Sequence, residues 1–186
     1  MGAEPATRDD EVVARFSTRR GARPADEPAE ILDSDMANAT RLARRHGANI
    51  RFAREQGFVV YEAGRWVADV KGDRMQGFAK DTALSIFDEI TDAQDRKAIF
   101  AHAKRSQASN AITAMVFLLR SEPGIAANLA EFDADPWLLN VANGTIDLRT
   151  GKLLQHRRED LLTKLVPIDY DEKADFELWD AFLWRI

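Results

Sequence analysis

The sequence predicts an α+β domain: a small β-hairpin sheet, a long central helical region, a three-strand β-meander and a C-terminal helix. Three observations carry this prediction. Between Lys80 and Arg120 apolar residues recur three and four apart, with no internal proline or glycine. Two other stretches, 50–69 and 137–156, alternate or run apolar at strand length and are interrupted by glycine-containing dipeptides. Pro123-Gly124 separates the helical stretch from the second of these, so the change of period coincides with a chain breaker.

In chain order, residues 1–32 are expected to be a disordered or flexible leader. They hold Pro5, Pro24 and Pro28, mixed charges and Phe16 as their one aromatic, too little apolar area to offset the entropy of ordering. A helical turn over 10–20 would align Val12, Val13 and Phe16, as a short docking motif would. The ordered domain is expected over 33–186. Ser34 or Asp35 is suited to cap a helix through Met36, Leu42 and Arg45, with Gly47 ending it. Strands follow at 50–53, 58–62 and 65–69, joined by Gln56-Gly57 and Ala63-Gly64, with Tyr61 and Trp66 as cross-strand partners.

The helical region places Leu84, Phe87 and Ile90 on one face, then Ile99, Phe100 and Ala103, then Ile112, Met115, Val116 and Leu119. Breaks near 91–95 or 106–110 would divide it into two or three helices, and a short helix is expected at 125–129. The meander is expected as strands 137–142, 145–148 and 152–156. Asn143-Gly144 and Thr150-Gly151 turn between them, because Asn and Gly tolerate positive φ. A last helix from about Ala174 repeats Trp179, Phe182, Leu183 and Ile186 on one face. The sequence ends on that stripe with no cap, so the chain is expected to be truncated where another domain would pack.

Composition narrows the chemistry. A chain of 186 residues, 45% of them hydrophobic, can bury a core. With no cysteine there is no disulfide, no thiolate metal site and no cysteine nucleophile. His46, His102 and His156 lie too far apart for metal-ligand spacing, so no metal is expected. No segment approaches the roughly 20 apolar residues that span a bilayer, and 1–14 is polar; no membrane association and a cytoplasmic location are expected.

Catalytic motifs are sought with little result. Gly151-Lys152 invites a phosphate-loop reading, but that loop needs a glycine where Ile146 stands and a Ser or Thr where Leu153 stands. Asp133 and Asp135 form a carboxylate pair that a divalent metal or a hydrolase would use; loop capping beside Pro136 is the favoured role. Asp88, Glu89, Asp92 and Asp95 read as a solvated helix face. No catalytic residue is assigned, and the chain is not expected to be an enzyme by itself.

Binding is better supported. The net charge is −5, yet Arg41, Arg44, Arg45, Arg51 and Arg54 fall in one stretch without an acid. Guanidinium forks suit phosphate oxygens, so these five are candidate DNA contacts, alongside Lys104 and Arg105 near His102, and Arg149 and Lys152 in the meander. A solvated surface, or pairing with the acidic stretch from Glu159, accounts for the same arginines equally well. Trp179, Phe182, Leu183 and Ile186 are candidate interface residues.

A family resemblance gives these readings a context. Phe132-Asp133-Ala134-Asp135-Pro136 leads into Leu139-Asn140-Val141-Ala142-Asn143-Gly144, then Ile146-Asp147-Leu148-Arg149-Thr150-Gly151-Lys152-Leu153. Asp160 to Lys164, Asp169-Tyr170-Asp171, Trp179, Phe182 and Leu183 follow. Upstream stand Asp35, Ala37, Asn38, Arg41 and Leu42, then Gly64, Arg65, Trp66 and Asp69, with Glu62-Ala63 in place of a more usual Trp-Asp. The string resembles the N-terminal-like domain of the phage/plasmid primase family, shared with the poxvirus replication NTPase. The resemblance implies a DNA replication accessory domain that precedes a superfamily 3 helicase and often follows a primase–polymerase. It implies single-stranded or forked DNA as partner and a homo-oligomer, a hexamer, in the parent protein. ATP and magnesium belong to the parent helicase, leaving no cofactor to this chain. A protein-interaction collar without nucleic-acid contact is the alternative.

Overall fold

A computed structural model of the chain describes residues 33–89 and 96–185. The expected leader, and with it Val12, Val13 and Phe16, lies outside the described residues.

The first helix, α1 (Asp35–His46), starts where Ser34 Oγ accepts a hydrogen bond from Ala37 N at 3.2 Å. Arg44, Arg45 and His46 occupy its last turn, where cations suit the negative end of the helix dipole. Gly47 follows as expected, but in a right-handed conformation (φ −59°), and the chain continues through a 3-10 turn. A Cβ at Gly47 would come 3.2 Å from Ile125 Cδ1, so glycine here permits close packing.

Strands β1 (Ile50–Ala53), β2 (Gly57–Glu62) and β3 (Arg65–Ala68) form an antiparallel sheet in that order. Ala63 and Gly64 both take positive φ, the geometry of a two-residue hairpin turn. Tyr61 pairs with Trp66 in the register, their ring centroids 5.5 Å apart. Alternation along β2 divides the interior. Val60 joins Leu42, Ile50, Met75, Met115 and Leu119 in the main core, while Val59 turns to the opposite face with Trp66 and Phe132.

The helical region begins earlier than its apolar period suggests. Helix α2 (Asp73–Ser85) includes Gly77, a residue that reads in sequence as a breaker. Gly77 meets open space, and its cost in an exposed helix is only about 1 kcal/mol. The buried carboxylate of Asp69 offsets it by accepting from Met75 N at 2.9 Å and Arg74 N at 3.4 Å. The expected Leu84–Phe87–Ile90 stripe is corrected accordingly. Leu84 is exposed, and Met75, Ala79, Thr82, Ala83 and Ile86 face inward. A 3-10 turn at Ile86–Glu89 shifts the phase, and Ile90 is not described. Of the two expected breaks, 91–95 lies outside the described residues. The other is present, at Gln107 and Ala108 between α3 (Arg96–Ser106) and α4 (Ser109–Leu119).

The helix expected at 125–129 is absent. Residues 125–127 instead line the edge of β1, with Phe52 N donating to Ile125 O at 2.7 Å and Ala127 N to Phe52 O at 3.0 Å, and only a 3-10 turn, Leu129–Glu131, follows. An open strand edge leaves backbone donors and acceptors that a helix cannot satisfy, and this pairing wins over local propensity.

The meander is β4 (Leu138–Val141), β5 (Gly144–Asp147) and β6 (Lys152–Leu154), antiparallel in that order. Its first turn differs from expectation. Neither Asn143 nor Gly144 has positive φ. Asn143 is needed for its amide, which donates to Tyr170 O at 3.0 Å and accepts from Tyr170 N at 2.9 Å. Gly144 is needed because a Cβ there would lie 2.7 Å from Leu153 Cδ1. The second turn is as expected, with Gly151 at φ 69°. The last helix, α5, is Glu177–Leu183, three residues shorter at its start than the sequence suggests.

Buried Asn140 joins these parts. Its Nδ2 donates to Gly64 O and Lys164 O, each at 3.0 Å. Its Oδ1 accepts from Thr145 Oγ1 at 3.2 Å and faces His156 Nδ1 at 2.9 Å. Asn140→Asp keeps the shape but turns a donor group into an acceptor against two carbonyls. It should destabilise the domain by about 3 kcal/mol, read as a lower denaturant midpoint at unchanged m-value.

Candidate functional site

The sequence-predicted cations do not form one free patch. Arg41 is only 10% exposed and forks onto Glu89, with Nε–Oε1 2.8 Å and Nη2–Oε2 2.7 Å. Glu89 is therefore an internal partner and not part of a solvated acidic face; Asp92 and Asp95 lie outside the described residues. Arg45 pairs with Asp81 at 2.6 Å, and His46 meets the same carboxylate at 2.9 Å. The Arg45 hydrogen bond is the main reason that Asp81 titrates below the usual carboxylate range. Arg51 bends back to Gly47 O (2.9 Å) and Ile50 O (2.7 Å), its guanidinium 5.1 Å from the Trp66 ring centre.

Arg105 forks onto Asp33 at 2.7 and 2.5 Å. Arg149 forks onto Asp135 at 3.2 and 3.0 Å and lies 5.6 Å from the Trp137 ring centre. Arg44, Arg54, Lys104 and Lys152 are exposed and join no ion pair among the described residues. Exposed side-chain pairs are weak, so Arg45, Arg105 and Arg149 can exchange a carboxylate for a phosphate. Arg41 and Arg51 are held by the fold.

The carboxylate pair in 133–135 takes the capping role. Asp133, at φ 52°, accepts from Thr163 N at 2.8 Å and Thr163 Oγ1 at 2.5 Å. Asp135 accepts from Trp137 N at 3.0 Å besides holding Arg149, whose hydrogen bond is the main cause of its lowered pKa. Among the described residues no cluster of three or more His, Asp or Glu is placed to hold a metal ion.

The sequence reading missed a buried polar cluster between α1 and α3. His102 is 6% exposed and sits with Asn38 and Ser106, both fully enclosed. Asn38 Nδ2 donates to Ser106 Oγ at 2.9 Å, Asn38 Oδ1 lies 2.9 Å from His102 Nε2 and accepts from Arg41 Nη1 at 3.1 Å, and His102 Nδ1 contacts Asp33. Asp33, His102 and Ser106 follow the order of a hydrolytic relay. The Ser106 hydroxyl, however, is enclosed and occupied by the Asn38 amide, so the cluster clamps α1 to α3. No sequence signal marked it, because two helices 60 residues apart had to meet first.

A second omission is Arg120, at the end of α4. Its guanidinium lies 5.0 Å from the Phe52 and Phe117 ring centres and 5.8 Å from that of Phe58. It borders a cleft of about 540 Å3 between β2, α2 and α4, lined also by Lys80, Gln76 and Thr113. Phe117 and Arg120 are three apart on one helix, a spacing visible in the sequence, but the meeting with Phe52 and Phe58 is not.

Of the predicted interface residues, Trp179, Phe182 and Leu183 lie on α5 and are 60%, 51% and 45% exposed, with the first two rings stacked at 5.5 Å. Ile186 is outside the described residues. Residues 39–186, which run from within the first helix through the Trp66 hairpin and the Asn140 meander to the last helix, are matched by a family model described as D5 N terminal like. The chain belongs to the D5 N-terminal-like family. That domain occurs in phage/plasmid primases and poxvirus D5 proteins, which places this D5 N-terminal-like chain in a primase-related, DNA replication context. No curated protein gives a significant match to it. No described helix of the domain is long and apolar enough to cross a membrane.

Burial of His102 in the clamp predicts acid sensitivity of the domain. Burial pushes the His102 pKa down, against Asp33 and Glu89, which favour the cation; Arg41 and Arg105 act with burial. With the folded pKa below the unfolded value of about 6.5, protons bind the unfolded chain first. Stability is whole above that value and falls as pH drops below it. Melting temperature should decline between about pH 7 and pH 5, and His102→Gln should flatten that decline.

Proposed function

We propose that this chain is a replication accessory domain of a phage- or plasmid-type primase–helicase, coupling DNA engagement to assembly of the helicase ring. The observation that carries the reading is α5, seven residues with none buried. Phe176, Leu178, Trp179, Phe182, Leu183 and Trp184 are all exposed in and around it. A helix so rich in aromatic and aliphatic side chains leaves apolar area in water that a protein partner would cover. Aromatics at such density suit the anchor positions of an interface. The partner we assign is the neighbouring subunit of the same oligomer, a hexamer in the parent protein. ATP and magnesium serve the parent's helicase and have no role in this chain, which we read as non-enzymatic.

DNA engagement is the second half of the proposal, with single-stranded or forked DNA as the ligand. Arg44, Arg54, Lys104 and Lys152 are the predicted cations whose charge no described acid occupies, and Arg45, Arg105 and Arg149 are held only by exposed pairs. A collar without nucleic-acid contact is the alternative. It is favoured by the commitment of Arg41 and Arg51 to the interior of the fold.

Two measurements separate these readings. In sedimentation at rising concentration, the chain should self-associate, and Trp179→Glu with Phe182→Glu should leave it monomeric. A wild-type chain that stays monomeric, alone and within a complete primase–helicase, overturns the assembly role. Affinity for single-stranded and forked DNA should fall with salt, and Arg44→Glu with Arg45→Glu should lower the logarithmic salt slope by roughly one to two if both touch phosphate. Unchanged binding in that variant removes the Arg41–Arg54 surface, and no binding at low salt leaves the collar reading.

A further inference from the structure

We propose that the cleft between β2, α2 and α4 seats one unpaired nucleotide of single-stranded DNA. Its base would lie against Phe117 and the Arg120 guanidinium, and its phosphate toward Lys80. This inference rests on the DNA half of the reading above and gives that contact a location which the Arg41–Arg54 stretch does not include.

The cleft has the size and chemistry for such a ligand. At about 540 Å3 it falls within the range of small-molecule sites. Phe117 is 61% exposed although it stands in the most apolar helix of the domain. Its ring, with those of Phe52 and Phe58, surrounds Arg120. An exposed aromatic ring with a guanidinium held over it offers stacking surface and charge to an unpaired base, tolerant of sequence because every base has a π-face. A nucleotide would use both the plane and the charge of the guanidinium.

The charge in the cleft is also one-sided. Lys80 and Arg120 are exposed and join no ion pair among the described residues. The one acid in the lining, Asp69, is 9% exposed and spends its oxygens on the first turn of α2. Helix α4 opens onto the same cleft at Ser109, and its N-cap, Ala108, contributes no side-chain cap. The first amides of α4 therefore add positive potential where a phosphate would rest. Gln76 offers an amide and Thr113 a hydroxyl for a base edge. A duplex cannot present a base face to this platform, so the site discriminates by strandedness.

The test is fluorescence anisotropy with a labelled oligothymidylate, a duplex hairpin of equal charge, and a free deoxynucleoside triphosphate as competitor. The wild-type chain should bind the single strand more tightly than the hairpin. Phe117→Ala should weaken the single strand roughly ten-fold while leaving the melting temperature close to wild type. Lys80→Glu and Arg120→Gln should each weaken it and flatten its salt dependence. Arg44→Glu with Arg45→Glu is the contrasting variant. If that variant loses binding and the three cleft variants do not, the cleft is wrong and the DNA reading stands. If the wild-type chain binds no single strand at low salt, both fall. Equal affinity for hairpin and single strand, or capture of the free triphosphate with none of the oligonucleotide, also overturns the proposal.

Discussion

The side chain of Asn140 is the constraint on which the domain's architecture turns. One primary amide has two donors and two acceptor sites, and all four are used: toward Gly64, Lys164, Thr145 and His156. These partners belong to the first hairpin turn (Gly64), to β5 of the meander (Thr145) and to the chain after the meander (His156 and Lys164). The Asn140 bond to Gly64 O ties the second sheet directly to the turn of the first hairpin. The backbone continues the junction: Val166 N donates to Asn140 O at 2.9 Å, and Trp66 N to Leu162 O at 2.8 Å. Trp66 locks the same region by donating its indole N–H to Arg158 O at 2.9 Å. Gly64 must be glycine here on two counts: its φ is 80°, and a Cβ would lie 2.7 Å from the His156 ring.

Electrostatics divides the domain in a similar way. Of the arginines that cluster in sequence, Arg41 and Arg45 meet acids from other elements, Arg51 turns onto backbone carbonyls, and Arg44 and Arg54 join no ion pair among the described residues. Arg41 reaches Glu89 across 48 positions, and Arg105 reaches Asp33 across 72. The Arg41 pair lies beside a buried amide and imidazole, where removing either partner strands a charge. The pairs of Arg45, Arg105 and Arg149 are solvated, so they contribute little to stability and remain open to competition by a phosphate. A basic stretch in a sequence is thus a poor guide to a basic surface.

The exposed apolar residues lie mainly outside the first sheet and its helices. Leu139, Leu148, Leu153 and Leu154 of the meander, with Trp137, are each 38% or more exposed, and α5 has no buried residue. The buried core clusters, by contrast, draw on the first sheet, its helices and the segment 125–132.

Sequence alone determined the class and order of elements, because period, caps and hairpin turns are local. Ser34 caps the first helix, Ala63-Gly64 turns the first hairpin, Tyr61 pairs with Trp66, and Thr150-Gly151 turns the meander. It also determined the family, through the run from Phe132 to Leu153. It misjudged the start of the helical region, Leu84 and residues 125–129, where a carboxylate at the helix start, a phase shift and a strand edge override local propensity. Only the tertiary structure decided which cations are free, that His102 is enclosed, and that Arg120 gathers three phenylalanines from β1, β2 and α4. The physical reason is the same in each case. A side chain's charge, solvation and stacking depend on residues tens of positions away, and no local pattern records that distance.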